Sequence, residues 1–188
     1  MKVGIAGGIG SGKSYVAQRL AKHGIEVYDC DAAAKRLMRT SPELRRQLTD
    51  LIGPDTYQSD RLNKAAVSCF LLASEENAHA INAIVHPAVF ADFLQSGFQW
   101  LESAIMYESG ADRYVDRVIV VTAPEEVRLQ RIVQRDGITR KQAMEWINRQ
   151  WAQDEVRRRA DYEIINDGQA DIDKQINIIL EQLCNKPF

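Results

Sequence analysis

The chain has 188 residues, enough for one α/β domain with a large core and an insertion. A hydrophobic share of 45% with 27% charged residues is that of an ordinary globular chain, and a formal net charge of −2 argues against a nucleic-acid-coating surface. No apolar run nears the ~18 residues of a membrane span, no secretory signal pattern is present, and Cys30, Cys69 and Cys184 are odd in number and lack C-x-x-C spacing, so nothing suggests zinc, the count argues against a disulfide framework, and a reducing cytoplasm is expected.

Val3 to Ala6 is a short apolar run suited to a strand covered on both faces. Gly7-Gly8-Ile9-Gly10-Ser11-Gly12-Lys13-Ser14 follows, a complete G-x-x-x-x-G-K-S phosphate loop. Ser14 to Lys22 then suits a helix with Val16, Ala17 and Leu20 inward. Strand, glycine loop and helix together turn the motif into a physical site: the glycines let successive N–H groups point into one anion-sized nest, and the helix start adds its unpaired N–H groups and positive dipole end. Gly8, Gly10, Ser11, Gly12, Lys13, Ser14 and the Tyr15 backbone are therefore the expected nucleotide contacts, with Lys13 reaching the β- and γ-phosphates and the Ser14 hydroxyl a ligand for Mg²⁺.

Gly24 reads as the helix stop before a second strand, Ile25 to Asp29. This strand ends Tyr28-Asp29-Cys30-Asp31, at the sheet edge where ligands bind. In an extended segment residues i and i+2 face the same way, so Asp29 and Asp31 could flank one site, one orienting an acceptor hydroxyl and one holding metal through water. The competing reading is a helix N-cap at Asp31, ahead of Ala32-Ala33-Ala34. From 32 to 102 the sequence shows helix starts and no convincing strand. Ser41-Pro42-Glu43 and Ser74-Glu75-Glu76 are N-terminal signatures, and Ile81, Ile84 and Val85 form a buried stripe ahead of a break at His86-Pro87. Such an insertion either holds a second substrate or simply packs.

Two further strands are expected at Ala104 to Glu108 and Arg117 to Thr122, and a last one at Tyr162 to Asn166. Between them, residues 131–159 carry Arg131, Arg135, Arg140, Arg149, Arg157, Arg158 and Arg159, with a capping box at Thr139-Arg140-Lys141-Gln142. The segment is either a solvated charged helix or a lid whose arginines close over phosphates. Short apolar strands alternating with helices predict a doubly wound parallel sheet of five strands.

The ordered set closely resembles the dephospho-coenzyme A kinase family over nearly the whole chain. Its carriers are Gly4 to Ser14, then Asp29-Cys30-Asp31, Ile84-Val85-His86-Pro87, Tyr107-Glu108, Gln134-Arg135-Asp136, Arg149-Gln150 and the run Ala160 to Gly168. The resemblance implies a P-loop nucleoside triphosphate hydrolase-like three-layer α/β/α fold. A nucleotide-binding core of 1–31, 103–130 and 160–188 would be joined by a helical substrate domain at 32–102 and a helical lid at 131–159. It implies transfer of the ATP γ-phosphoryl group to the ribose 3′-hydroxyl of dephospho-CoA, with Mg²⁺, and no nucleic acid, membrane or obligate protein partner. Asp31 would be the catalytic carboxylate, with Lys13 and Arg140 (and Arg135 beside it) on the phosphates. Asn166 and Gly168 would lie beside adenine, His86 in the substrate domain, and Glu108 against substrate or metal water. His86 is equally readable as a packed residue, and Glu108 as a cap on nearby amides.

The chain departs from the family pattern at Tyr15, where threonine is usual, in the Ser103 to Tyr107 approach to Glu108, at Lys64, and at Arg128, where glutamine is usual. A nucleoside monophosphate or shikimate-type kinase shares the loop and the lid. A GTPase switch would need an N/T-K-x-D segment after a strand, and none is present.

Overall fold

The computed structural model describes residues 1–185. Along the chain the elements are Val3–Ala6 (β1), Lys13–Ala21 (α1), Val27–Asp29 (β2), Cys30–Thr40 (α2), Pro42–Ile52 (α3), Tyr57–Gln58 (β3), Arg61–Leu62 (β4), Lys64–Ala73 (α4) and Glu75–Ser96 (α5). The second half holds Trp100–Ser103 (β5), Arg117–Thr122 (β6), Glu125–Asp136 (α6), Arg140–Asn148 (α7), Gln153–Arg159 (α8), Tyr162–Ile165 (β7) and Ile172–Asn185 (α9). Two compact units result among the described residues: 1–28 with 98–185, and 29–97.

The first unit is built on a five-stranded parallel sheet in the order β2-β5-β1-β6-β7. β1 is central, with Val3, Ile5 and Ala6 fully buried between β5 and β6. The register pairs Ala6 with both Ser103 and Val120, so the phosphate loop leaves β1 level with the end of β5 and two residues before the end of β6. Val16 and Leu20 of α1 and Ile172, Ile176 and Ile179 of α9 bury one face of the sheet together with Val3, Ile5 and Ile119. Each such side chain contributes roughly 1.5–3 kcal/mol of apolar burial. A separate cluster of Leu129, Ile132, Ala143 and Ile147 joins α6 to α7 and includes Ile9 of the loop.

Three expectations are corrected in this unit. The strand expected at Ala104 to Glu108 lies earlier, at β5, and residues 104–110 form turns. The apolar side chains there serve the core from a turn: Met106 is 1% exposed and lies against Gly4 of β1. Trp100, Leu101, Glu102 and Ser103 are all buried, and a carboxylate in that run disguised the strand. The second strand begins at Val27, two residues late, because Gly24 and Ile25 turn back to bond Ala21 and Leu20 carbonyls. Residues 98–102, expected in the helical insertion, belong to the sheet unit.

The helical unit packs α5 against α2, α3 and α4. Its starts follow the local code: the side chains of Asp29, Ser41, Asn63 and Ser74 accept from Ala32, Leu44, Ala66 and Asn77 N–H groups. The break expected at His86-Pro87 does not occur, and α5 runs unbroken through Pro87. An interior proline costs ~3 kcal/mol, but Ile81, Val85, Val89, Phe90 and Phe93 are all buried on this helix. At roughly 1.5–3 kcal/mol each, that packing outweighs the proline. α4 is the opposite case: Lys64–Ala73 is largely apolar yet buries no residue.

Candidate active site

Ser11 N–H donates to Gly8 O at 3.1 Å and closes the loop into a tight turn. Gly10 and Gly12 have φ values of +79° and +97°, the left-handed region that glycine tolerates without strain. Close approach adds a second reason for glycine: a Cβ on Gly8 would strike the Arg128 guanidinium, and one on Gly12 the Asn166 side-chain amide.

The loop is held from outside by side chains that are distant in sequence. Arg128 Nε donates to Ile9 O at 2.9 Å, and Arg131 Nη1 donates to Gly10 O and Ser11 O, both at 3.3 Å. Asn166 Nδ2 donates to Ser11 O at 2.9 Å, while its own carbonyl groups accept from Arg131 Nη2. Gln150 Oε1 accepts from Ile9 N–H at 2.7 Å, and Gln150 Nε2 donates to Ala104 O at 3.2 Å. Arg128 is only 5% exposed, and burial pushes its guanidinium below the ordinary arginine value. Around Gln150 the α7–α8 connection is anchored again. Trp151 N–H donates to Glu108 Oε1 at 2.9 Å, and Trp151 stacks on Tyr107 at 6.2 Å with Arg159 over both rings. Burial raises the Tyr107 hydroxyl to about 12.

At the start of α1, Ser14 Oγ donates to Glu102 Oε1 at 3.1 Å. Glu102 is 7% exposed and sits on β5 beside Ile5 of β1. A hydroxyl and a carboxylate at this spacing are hard oxygen donors of the kind that hold Mg²⁺ together with substrate phosphates. No group of three or more His, Cys, Asp or Glu side chains forms a metal cage among the described residues.

The other expected residues fall as follows. Asp29, not Asp31, caps α2, accepting from Ala32 N–H at 2.9 Å. Asp31 lies inside the first turn of α2, so the extended-segment argument for a paired carboxylate fails: the chain turns helical at Cys30. Its carboxylate is exposed and makes no hydrogen bond or ion pair among the described residues. His86 is half-buried in α5, 6.1 Å from the Phe90 ring, and burial lowers its pKa. Its neighbour Pro87 helps line a cavity of about 420 Å³ with Leu44, Ala83 and Ile84. Glu108 is not at a strand end. Arg140 is exposed and bidentate to Glu126 at 2.6 and 2.7 Å, and Arg135 pairs with adjacent Asp136 at 2.7 Å. The Tyr15 hydroxyl accepts from Arg19 on the outer face of α1. Gly168, at φ +92°, follows Asp167, whose carboxylate accepts from Ala170 and Gln169 N–H groups and is thereby held below its ordinary pKa.

Glu102, Gln150 and Arg131 escaped the sequence reading as loop partners, and Arg128 entered it only as a departure from a pattern. A faint signal existed for the arginines. Residues 128 and 131 share a helix face three apart, offset from the apolar pair Leu129 and Ile132.

A strand, a glycine loop and a helix start that together expose N–H groups, with a hydroxyl–carboxylate pair beside them, define a P-loop phosphotransferase. The chain belongs to the dephospho-CoA kinase family, whose profile matches residues 1–171. The dephospho-CoA kinase of Bacteroides fragilis is 38% identical over 193 residues, covering 99% of this chain and 94% of that protein. A crystal structure from Thermus thermophilus superposes with a TM-score of 0.84 at 28% identity, covering 97% of each chain. The dephospho-CoA kinase of Campylobacter jejuni shares the fold, with a TM-score of 0.67 at 20% identity over 97% of this chain and 98% of that one.

Proposed function

We propose that this chain transfers the γ-phosphoryl group of ATP to the ribose 3′-hydroxyl of dephospho-CoA, giving coenzyme A and ADP in the final step of coenzyme A synthesis. The observation that carries the reading is the pinned phosphate loop with the Ser14–Glu102 pair beside it, in a chain of this family. The loop N–H groups and Lys13 hold the ATP phosphates. Ser14 and Glu102 are the residues that would hold Mg²⁺, which supplies charge neutralisation on the phosphate oxygens when bound. Glu102 takes the strand-end role first expected of Glu108.

The reaction is an in-line displacement. The 3′-oxygen forms the new bond to the γ-phosphorus, the bond to the β–γ bridging oxygen breaks, and ADP leaves with that electron pair. The hydroxyl proton goes to the Asp31 carboxylate, whose open, unpaired state suits an acceptor of that proton. Asn166 and Gly168 lie on the adenine side, and His86 on the dephospho-CoA side. Arg140 leaves Glu126 to meet the transferring phosphoryl group. An unchanged kcat in Arg140→Gln would return that arginine to its surface ion pair. Substrates of this kind suit the cytoplasm.

The test is ADP release with MgATP and a panel of acceptors: dephospho-CoA, a nucleoside monophosphate and shikimate. Turnover confined to dephospho-CoA is expected. Turnover of a nucleoside monophosphate with none on dephospho-CoA would overturn the assignment.

A further inference from the structure

The loop exposes its donors on one side because its acceptors are occupied on the other. A trans peptide is planar, so its C=O and N–H point in opposite directions. Arg128 binds Ile9 O, and the same peptide carries the Gly10 N–H. Arg131 and Asn166 bind Ser11 O, and that peptide carries the Gly12 N–H. Gly10 and Gly12 N–H groups have no acceptor in the protein among the described residues. The neighbouring N–H groups are disposed of differently: Ile9 N–H is taken by Gln150, and Ser11 N–H closes the turn onto Gly8 O. The peptides gripped by a cation at the oxygen thus include those of Gly10 and Gly12, whose N–H groups are left for an outside ligand; Gly8 N–H is also without an acceptor among the described residues, and no arginine holds its peptide.

We propose that Arg128 and Arg131, on one face of α6, are positioning residues for phosphate binding that act through the loop backbone, aiming and polarising the Gly10 and Gly12 N–H groups from behind. The inference rests on the reading of the loop as the ATP site. A charge-assisted bond to a carbonyl is stronger than a neutral one, and it withdraws electron density from the attached N–H, since linked hydrogen bonds polarise one another. Burial favours the effect, because a guanidinium that is 5% exposed acts through a low local dielectric. No ion pair to a carboxylate competes for either arginine among the described residues, whereas Arg135, Arg140, Arg157, Arg158 and Arg159 are all paired with Asp or Glu. The arginines of residues 125–159 thus include a fixed pair behind the loop and a group of five held by surface carboxylates, with exposed Arg149 in neither set. Glutamine at 128 could still donate to Ile9 O but would bring no charge.

The experiment uses Arg128→Gln, Arg128→Lys and Arg131→Gln in the full chain, with ADP and dephospho-CoA as separate calorimetric probes. The Gly10 and Gly12 amide proton shifts are read in the unliganded protein. Each glutamine variant is expected to weaken ADP binding on the order of tenfold while dephospho-CoA affinity is unchanged. The Gly10 amide should move upfield in Arg128→Gln and the Gly12 amide in Arg131→Gln, and Arg128→Lys should recover part of the ADP affinity and of the Gly10 shift lost in Arg128→Gln. Unchanged ADP affinity, unmoved glycine amides, or equal loss of both ligands with a collapsed Tm would each overturn the proposal. Should Arg131→Gln not fold, Arg128→Gln decides alone, since it takes the charge from a single loop bond. Wild-type protein that binds neither ADP nor ATP would instead overturn the nucleotide reading itself.

Discussion

In the sheet unit the polar groups around the phosphate loop are buried and multiply bonded. Arg128, Glu102 and Asn166 are each under 10% exposed, and the carbonyls of Ile9, Gly10 and Ser11 all carry side-chain donors. In the helical unit the residue assigned to proton transfer, Asp31, stands exposed with an unbonded carboxylate, and α4 turns apolar residues to solvent. One unit is organised for phosphates before a ligand arrives, so little ordering remains for the binding step. In the other, the carboxylate proposed as proton acceptor is unbonded, and on that reading its geometry comes with the acceptor. Donor and acceptor halves should therefore answer mutation in different currencies: affinity and rate together in the first, rate alone in the second.

The sharpest break of that contrast is Lys13→Ala, which removes a cation from the phosphates in ground and transition states alike. It should lower kcat/KM for MgATP by on the order of 10³-fold or more, and steady-state kinetics with calorimetry would show both affinity and kcat falling. Asp31→Asn should lower kcat by at least ~10²-fold with ATP binding nearly retained; near-normal turnover would remove Asp31 from the chemistry. Glu102→Gln keeps the volume and a hydrogen-bond acceptor for Ser14 but loses the charge. The apparent Mg²⁺ requirement should rise about 10- to 100-fold, read by magnesium titration at fixed ATP, and an unshifted titration would leave Glu102 as a packing partner of Ser14. The smallest effect concerns His86. Burial lowers its folded pKa below the unfolded value of about 6.5. Its contribution to stability is intact above that pH and is lost as pH falls through the folded value, because the buried ring must then charge. Between pH 7.5 and 5 the Tm of the wild type should drop more than that of His86→Gln, and equal slopes would dismiss the histidine as a titrating group.

Legibility followed the range of the interactions. The loop from Gly7 to Ser14, the caps at Ser41 and Ser74 and the box at Thr139 and Gln142 were all readable, since each is a bond between residues at most four apart. β5 was misplaced because Glu102 interrupts its apolar residues, while the run Ala104 to Tyr107 after it is uninterrupted and has the pattern of a buried strand. Pro87 misled for a related reason: its helix-breaking preference is local, whereas the five buried side chains that keep α5 continuous act through packing against other helices. Asp29 and Asp31 were legible as a pair but not in their roles, which turned on where extended chain became helix.

The sequence by itself determined the donor site's chemistry, because eight consecutive residues encode a phosphate nest through backbone conformations that only glycine adopts freely and a lysine at a set position. The family followed from the ordered set of short motifs, which records shared descent without any knowledge of contacts. Tertiary structure alone decided which distant side chains serve that nest. Glu102 meets Ser14 across 88 positions, Arg128 meets Ile9 across 119 and Asn166 meets Ser11 across 155. Separations of that size carry no periodicity or local propensity to read, and only the parallel register of β1, β5, β6 and β7 brings their ends, and the helix that follows β6, to one edge.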